Sequence, residues 1–163
     1  MNDREQALTL IEQYSFGTLV TADGTSREAT HLPFVVDRHA DGSATLLGHV
    51  ARANPHARAI ESGAAALAIF TGPHAYVSPR WYAAGGAVPT WNYAAVHVSG
   101  ALRDRMLGAI IAFELPVARL EAKFKFNQNR TEADQRGVVA GLRALAEPSA
   151  TETADFMARV CDV

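Results

Sequence analysis

The spacing of apolar residues changes period along the chain, and each change marks an element. From Asn2 to Gln13, the apolar Ala7, Leu8 and Ile11 fall on one face of a helix capped by Asn2 or Asp3. Phe16 to Thr21 switches to β-branched and aromatic residues and predicts a strand. Asp23-Gly24 supplies a hairpin turn, and Glu28 to Val36 returns antiparallel. A turn at Asp41-Gly42 leads into a third strand, Ala44 to Val50. Asn54 caps a short helix with Pro55 at its first position, where a missing N–H costs nothing. This helix carries His56, Arg58 and Glu61 outward and stops at Gly63.

Ala64 to Phe70 has the composition of a buried strand, Gly72-Pro73 marks a turn, and His74 to Ser78 a further short strand. Ser78 to Tyr82 breaks the pattern, and Gly85-Gly86 predicts a mobile loop. Val88 to Leu102 reads as a long strand bent near Ala94-Ala95. Ile110 to Leu120 follows as an edge or bulged strand, because Pro116 lies inside it. Helical spacing resumes after Thr131, the predicted cap, with Val138, Val139, Leu142 and Leu145 as the apolar face. Gly137 and Gly141 weaken that helix by up to about 1 kcal/mol each. Pro148-Ser149 separates it from a last short helix, Thr151 to Val160.

Several short strands with helices outside them predict a mainly β, α+β fold: a small closed or half-closed barrel rather than a doubly wound sheet. No GxGxxG follows the first strand to anchor a dinucleotide fold. Residues 1–146 are assigned to the barrel domain with its C-terminal helix, and 147–163 to a short helical tail. The 163 residues can bury a core without metal or disulfides, and one cysteine, Cys161, excludes a disulfide framework. Fifteen Lys+Arg against 17 Asp+Glu, a net charge of -2, give a nucleic-acid partner little support. No apolar run approaches the roughly 20 residues that cross a bilayer, and no signal-peptide pattern opens the chain, so a soluble cytoplasmic protein is expected.

Three segments carry candidate chemistry. In Val88 to Gly100, strand alternation puts Trp91 and Tyr93 on one face and Asn92 on the other. Such an aromatic pair can wall a flat ring, although aromatic strand residues more often belong to a core. Thr30-His31-Leu32 and His49-Val50-Ala51-Arg52 set histidines among small residues that permit close backbone approach. Arg52 and the amides at Asn54 could hold a phosphate at the helix start. Lys123-Phe124-Lys125-Phe126 alternates strictly and is followed by Asn127, Gln128, Asn129 and Arg130, donors suited to a phosphate or ribityl chain. A solvated basic edge strand would look the same. The histidines form no compact metal-ligand pattern, and no nucleophile, base and orienting acid occur as a set; Cys161 lies in a polar tail.

The segments GTLVTAD, ATHLPFVV, GHVARANPH, FTGPHAYVSPRWY, VPTWNYAAVHVSG and KFKFNQNRTEADQRGVVAGL resemble, in order, the PaiB-like family of FMN-binding split-barrel proteins, also called FMN-binding negative transcriptional regulators. The resemblance implies a split β-barrel with peripheral helices, a flavoprotein with FMN as cofactor, and a homodimer with a site at each subunit boundary. It implies that Thr30, His31, Leu32, His49, Val50 and Ala51 line one side of the flavin, with Arg52 and Asn54 near its phosphate. Trp91, Asn92, Tyr93, Lys125, Gln128 and Arg130 would complete the site, partly from the second subunit.

Two departures stand out. Family members have a helical segment between the strand ending near Leu102 and the one beginning near Met106, whereas here Arg103 leads directly to Asp104-Arg105. The loop from Ala83 to Val88 is also short. The intact flanking motifs favour residues missing from the written sequence over a true deletion. The function expected is flavin binding with a redox or regulatory role, the chemistry being the cofactor's own. The alternative is a negative transcriptional regulator acting through DNA or a partner protein without catalysis.

Overall fold

The computed structural model describes all residues except 1–2, 23–25, 84–86 and 108–109. The expected turn at Asp23-Gly24 and the loop glycines Gly85-Gly86 lie outside the described residues. The elements are α1 (Asp3–Gln13), β1 (Phe16–Ala22), β2 (Arg27–Pro33), β3 (Val35–Arg38), β4 (Ala44–Ala51), α2 (His56–Glu61) and β5 (Ala65–Val77). A 3₁₀ turn (Pro79–Trp81), β6 (Thr90–Ala101), β7 (Arg103–Leu107), β8 (Ile110–Pro116), β9 (Arg119–Lys125), α3 (Glu132–Ala144) and α4 (Pro148–Cys161) follow. The strands form one sheet in the order β2-β1-β5-β6-β9 and another in the order β3-β4-β8-β7. The chain divides into two compact units, Met1–Phe70 with Val96–Ala122, and Thr71–Ala95 with Lys123–Val163.

Five elements differ from the sequence expectation. The return strand Glu28 to Val36 splits at Phe34. Phe16 pairs with Pro33 in one sheet, while Val35 pairs with Leu47 in the other. Proline ends the first ladder, and the buried Phe34 ring sits edge-on to Phe70 at 5.2 Å and to Phe113 at 6.1 Å. Gly72-Pro73 does not interrupt β5; buried positions are even-numbered up to Gly72 and odd-numbered from Pro73, the change of phase a bulge makes. β6 needs no bend at Ala94-Ala95, because Asn92, Ala94, Val96 and Val98 are buried in unbroken alternation. Ile110 to Leu120 divides after Pro116 into β8 and β9, and α4 starts at Pro148 rather than Thr151, with proline in the first turn.

In the first unit α1 buries Ala7, Leu8, Leu10 and Ile11, and Arg38 of β3 pins it from outside with bonds of 2.7 Å to Glu5 and to Glu12. The Arg38 guanidinium holds the Glu12 carboxyl below its ordinary value. A Cβ on Gly48 would lie 2.6 Å from Phe113, so β4 can pass under that ring only as glycine. At Arg103, β7 pairs with β8 from Arg103↔Glu114 to Leu107↔Ile110, and Arg105 forms an ion pair with Glu114. In the second unit α3 begins where the Thr131 hydroxyl accepts from the Asp134 N–H, and it packs on α4. Phe156 of α4 stacks on Phe124 at 6.0 Å and tilts against Phe126 at 5.0 Å.

Candidate functional site

In the first unit the β4–α2 connection forms one side of an open groove of about 830 Å³, lined by Ser26, Glu28, Arg52, Asn54, Arg58 and Ser62 among others. Asn54 organises it. Its Oδ1 accepts the His56 N–H at 2.9 Å, while its Nδ2 donates to Thr30 Oγ1 at 3.3 Å. Thr30 Oγ1 also lies 2.9 Å from His56 Nδ1, so one hydroxyl on β2 is tied to both Asn54 and the first residue of α2, whose N-cap position is taken by Pro55 rather than by the expected Asn54. His56 is therefore not carried outward as its helical position suggested; it is fully buried, and desolvation pushes its pKa below the ordinary value. The amides offered to a phosphate by the sequence are used internally. Asn54 N–H donates to Ala51 O, His56 N–H to Asn54 Oδ1 and Ala57 N–H to Asn54 O. The charge for an anion in this groove thus comes from the Arg52 and Arg58 side chains.

The other first-unit candidates do not line this groove. Leu32 and Val50 are core residues at 4% exposure, whereas His31, His49 and Ala51 are exposed. His31 stacks on Phe16 at 6.3 Å.

The second-unit candidates divide by face. Asn92 is fully buried, donating to Met157 Sδ at 3.3 Å, with Oδ1 unpartnered. Trp91 is 48% exposed beside His74 at 6.0 Å and Tyr76 at 6.3 Å. Gln128 spends both ends of its amide on backbone, accepting from Phe126 N–H and donating to Phe124 O. Lys125 donates to Thr90 Oγ1 at 2.7 Å, and Arg130 lies over the Tyr82 ring at 5.2 Å. Tyr93 is half-buried on the face opposite Asn92. Cys161 closes α4 instead of lying in a polar tail. Its thiol donates to Phe126 O, and burial pushes its pKa up, away from nucleophilic use.

Comparison with known proteins places this geometry in a lineage. The profile of the family described as "Putative FMN-binding domain" matches residues 1–105. The chain belongs to that FMN-binding family. FMN is the cofactor this membership assigns, and the PaiB-like resemblance holds. "Protease synthase and sporulation protein PAI 2" of Bacillus subtilis (strain 168) is 31% identical over 193 residues, covering 96% of this chain and 92% of the relative. That alignment is longer than the 163-residue chain, so the relative carries segments not present in this sequence. Among solved structures, the FAD and heme binding protein from Mycobacterium smegmatis superposes with a TM-score of 0.61 at 16% identity, over 77% of this chain and 72% of that one. The flavocytochrome Anf3 from Azotobacter vinelandii gives 0.57 at 14% identity, over 83% and 74%. The fold of the FMN-binding chain is the split β-barrel with peripheral helices. Among its described residues no helix is long and apolar enough to cross a membrane.

The groove suits FMN by its donor chemistry. A phosphate dianion calls for cationic donors, which Arg52 and Arg58 supply, and a polyol chain calls for mixed donors and acceptors, which Ser26, Glu28 and Asn54 supply. Its volume lies within the roughly 300–1,000 Å³ of small-molecule sites. Sequence reasoning passed over Glu28 and Arg58. Glu28 lies two residues before Thr30 on one strand, the spacing of a shared face, and Arg58 lies one helical turn beyond Asn54; both signals were present in the spacing.

Proposed function

We propose that this protein holds FMN by its phosphate in the groove between β2 and the β4–α2 connection, and that the bound flavin serves a redox or regulatory role. The observation that carries the reading is the convergence of Arg52 and Arg58 on a groove whose wall is fixed by the Asn54–Thr30 tie. Arg52 and Arg58 bind the phosphate, and Glu28 and Ser26 face the ribityl hydroxyls. When bound, FMN supplies hydride or electron transfer. The protein's part is binding and orientation. A homodimer belongs to the same reading. It is supported by side chains that a lone chain leaves to solvent, Phe16 and Val35 in the first unit at 67% and 63% exposure and Val88 in the second at 68%.

Titration of the purified protein with FMN, followed by quenching of flavin fluorescence, is expected to saturate with one flavin per chain at or below tens of micromolar. Light scattering on the same sample is expected to give the mass of two chains. Absence of saturation in that range sinks the flavin reading.

A regulatory reading is favoured by one observation, the name of the B. subtilis relative, which refers to protease synthesis and sporulation. In that reading the flavin-loaded chain acts on DNA or on another protein. Arg136 and Arg143 of α3 are ion-paired with Glu132 and Asp155, which favours the protein partner. A mobility-shift assay on the chain's own promoter region is expected to show no retention that weakens as salt rises; salt-sensitive retention would restore DNA.

A further inference from the structure

His56 is the one buried histidine among the described residues; His31, His39, His49, His74 and His97 are exposed. Its Nδ1 meets Thr30 Oγ1 at 2.9 Å, and its Nε2 is buried with no hydrogen-bond partner. An imidazolium carries N–H on both nitrogens and needs an acceptor for each, so whichever neutral tautomer is present, the charged form has no place for its Nε2 proton. We infer that His56 is a positioning residue for the FMN-phosphate groove: neutral, it seats α2 against β2 through Thr30, and taking a proton unseats α2 and loosens the groove wall that Asn54, Ala57 and Arg58 form. The inference rests on the reading that this groove holds FMN.

The surrounding charges do not offset the missing acceptor. Glu28 of β2 favours the protonated form, but desolvation outweighs it. On the elements packed against α2, His49 of β4 and Arg103, Asp104 and Arg105 of β7 are exposed, as are Arg58 and Glu61 of α2 itself. The sign follows from linkage. The seated state holds His56 neutral below its ordinary pKa of 6.5, while an unseated α2 lets it bind a proton there, so acid drives unseating as pH falls below 6.5.

The test is hydrogen exchange at the α2 amides, expressed as protection factors, at about pH 8 and about pH 5.5, alongside FMN titration at both. Protection is expected to fall roughly tenfold in acid in the unaltered protein and not in His56→Phe, while FMN affinity, which in both proteins also loses part of the phosphate's second charge near pH 6, is expected to fall more in the unaltered protein than in His56→Phe. Unchanged protection in acid, or an equal fall in His56→Phe, overturns the inference. Should His56→Phe not fold, the ¹⁵N-histidine spectrum of the unaltered protein decides. A His56 midpoint that coincides with the loss of α2 protection supports the inference, and one that falls with the exposed histidines overturns it. If FMN binds at neither pH, the groove reading fails by itself, and the exchange data still settle the role of His56.

Discussion

Exchanging Arg52 and Arg58 together for glutamine is expected to weaken FMN binding by about a hundredfold. Each guanidinium that meets a phosphate oxygen makes a charge-assisted hydrogen bond worth about 1.5–3 kcal/mol, and losing two removes about 3 kcal/mol or more. The groove has little to replace them with. The N–H groups of Asn54, His56 and Ala57 are consumed within the β4–α2 connection, and Glu28 contributes a charge of the wrong sign. Riboflavin, which lacks the phosphate, separates the phosphate role from general damage. The double variant should bind riboflavin as the unaltered protein does, so that the two flavins become nearly equivalent. An equal loss for both flavins would move the phosphate elsewhere. Arg136→Gln, whose partner is Glu132 on the surface of α3, serves as the neutral control.

Gly137→Ala is expected to destabilise the fold by about 2 kcal/mol, the reverse of what helix propensity alone gives. In an exposed helix interior, glycine to alanine gains up to about 1 kcal/mol. Here the added Cβ would lie 2.2 Å from the Trp81 carbonyl oxygen, a backbone atom that cannot rotate away, and overpacking of this kind costs typically about 1–3 kcal/mol. One turn on, a Cβ at Gly141 would lie 2.3 Å from the Trp81 ring. The two glycines thus form a flat strip on which the 3₁₀ turn rests. Thermal unfolding of Gly137→Ala should show a midpoint lowered by roughly 4–8 °C. A raised midpoint would mean that Trp81 does not rest on α3.

These two sites show what could be read from the chain and what could not. Periodicity recovered α1, β1, β4, β6 and the start of α3, because burial alternation and capping act within a few residues. Arg52 and Asn54 stood out for the same reason, as a cation and an amide side chain two residues apart at the end of a strand. What failed to show was set by partners distant in sequence. Nothing near Gly137 announces that Trp81 lies against it. Nothing near His56 shows that Thr30, on another strand, takes its Nδ1 and turns an outward helical position into a buried one. The division of Glu28 to Val36 was legible only in part. Pro33 marks the place, but the change of sheet depends on the pocket that Phe70 and Phe113 make for Phe34.

The slip in β5 reaches further than its own strand. Without it, a uniform reading frame of the pleat would turn His74 and Tyr76 inward and leave Pro73, Ala75 and Val77 facing water. One residue at Gly72-Pro73 reverses that parity, and it is this reversal that sets an imidazole and a phenol beside the indole of Trp91 on the solvent side of the sheet. Deleting Gly72 would therefore keep that aromatic face, because without the extra residue Pro73, Ala75 and Val77 continue the buried phase of Ala66, Ala68 and Phe70 in an unbroken pleat.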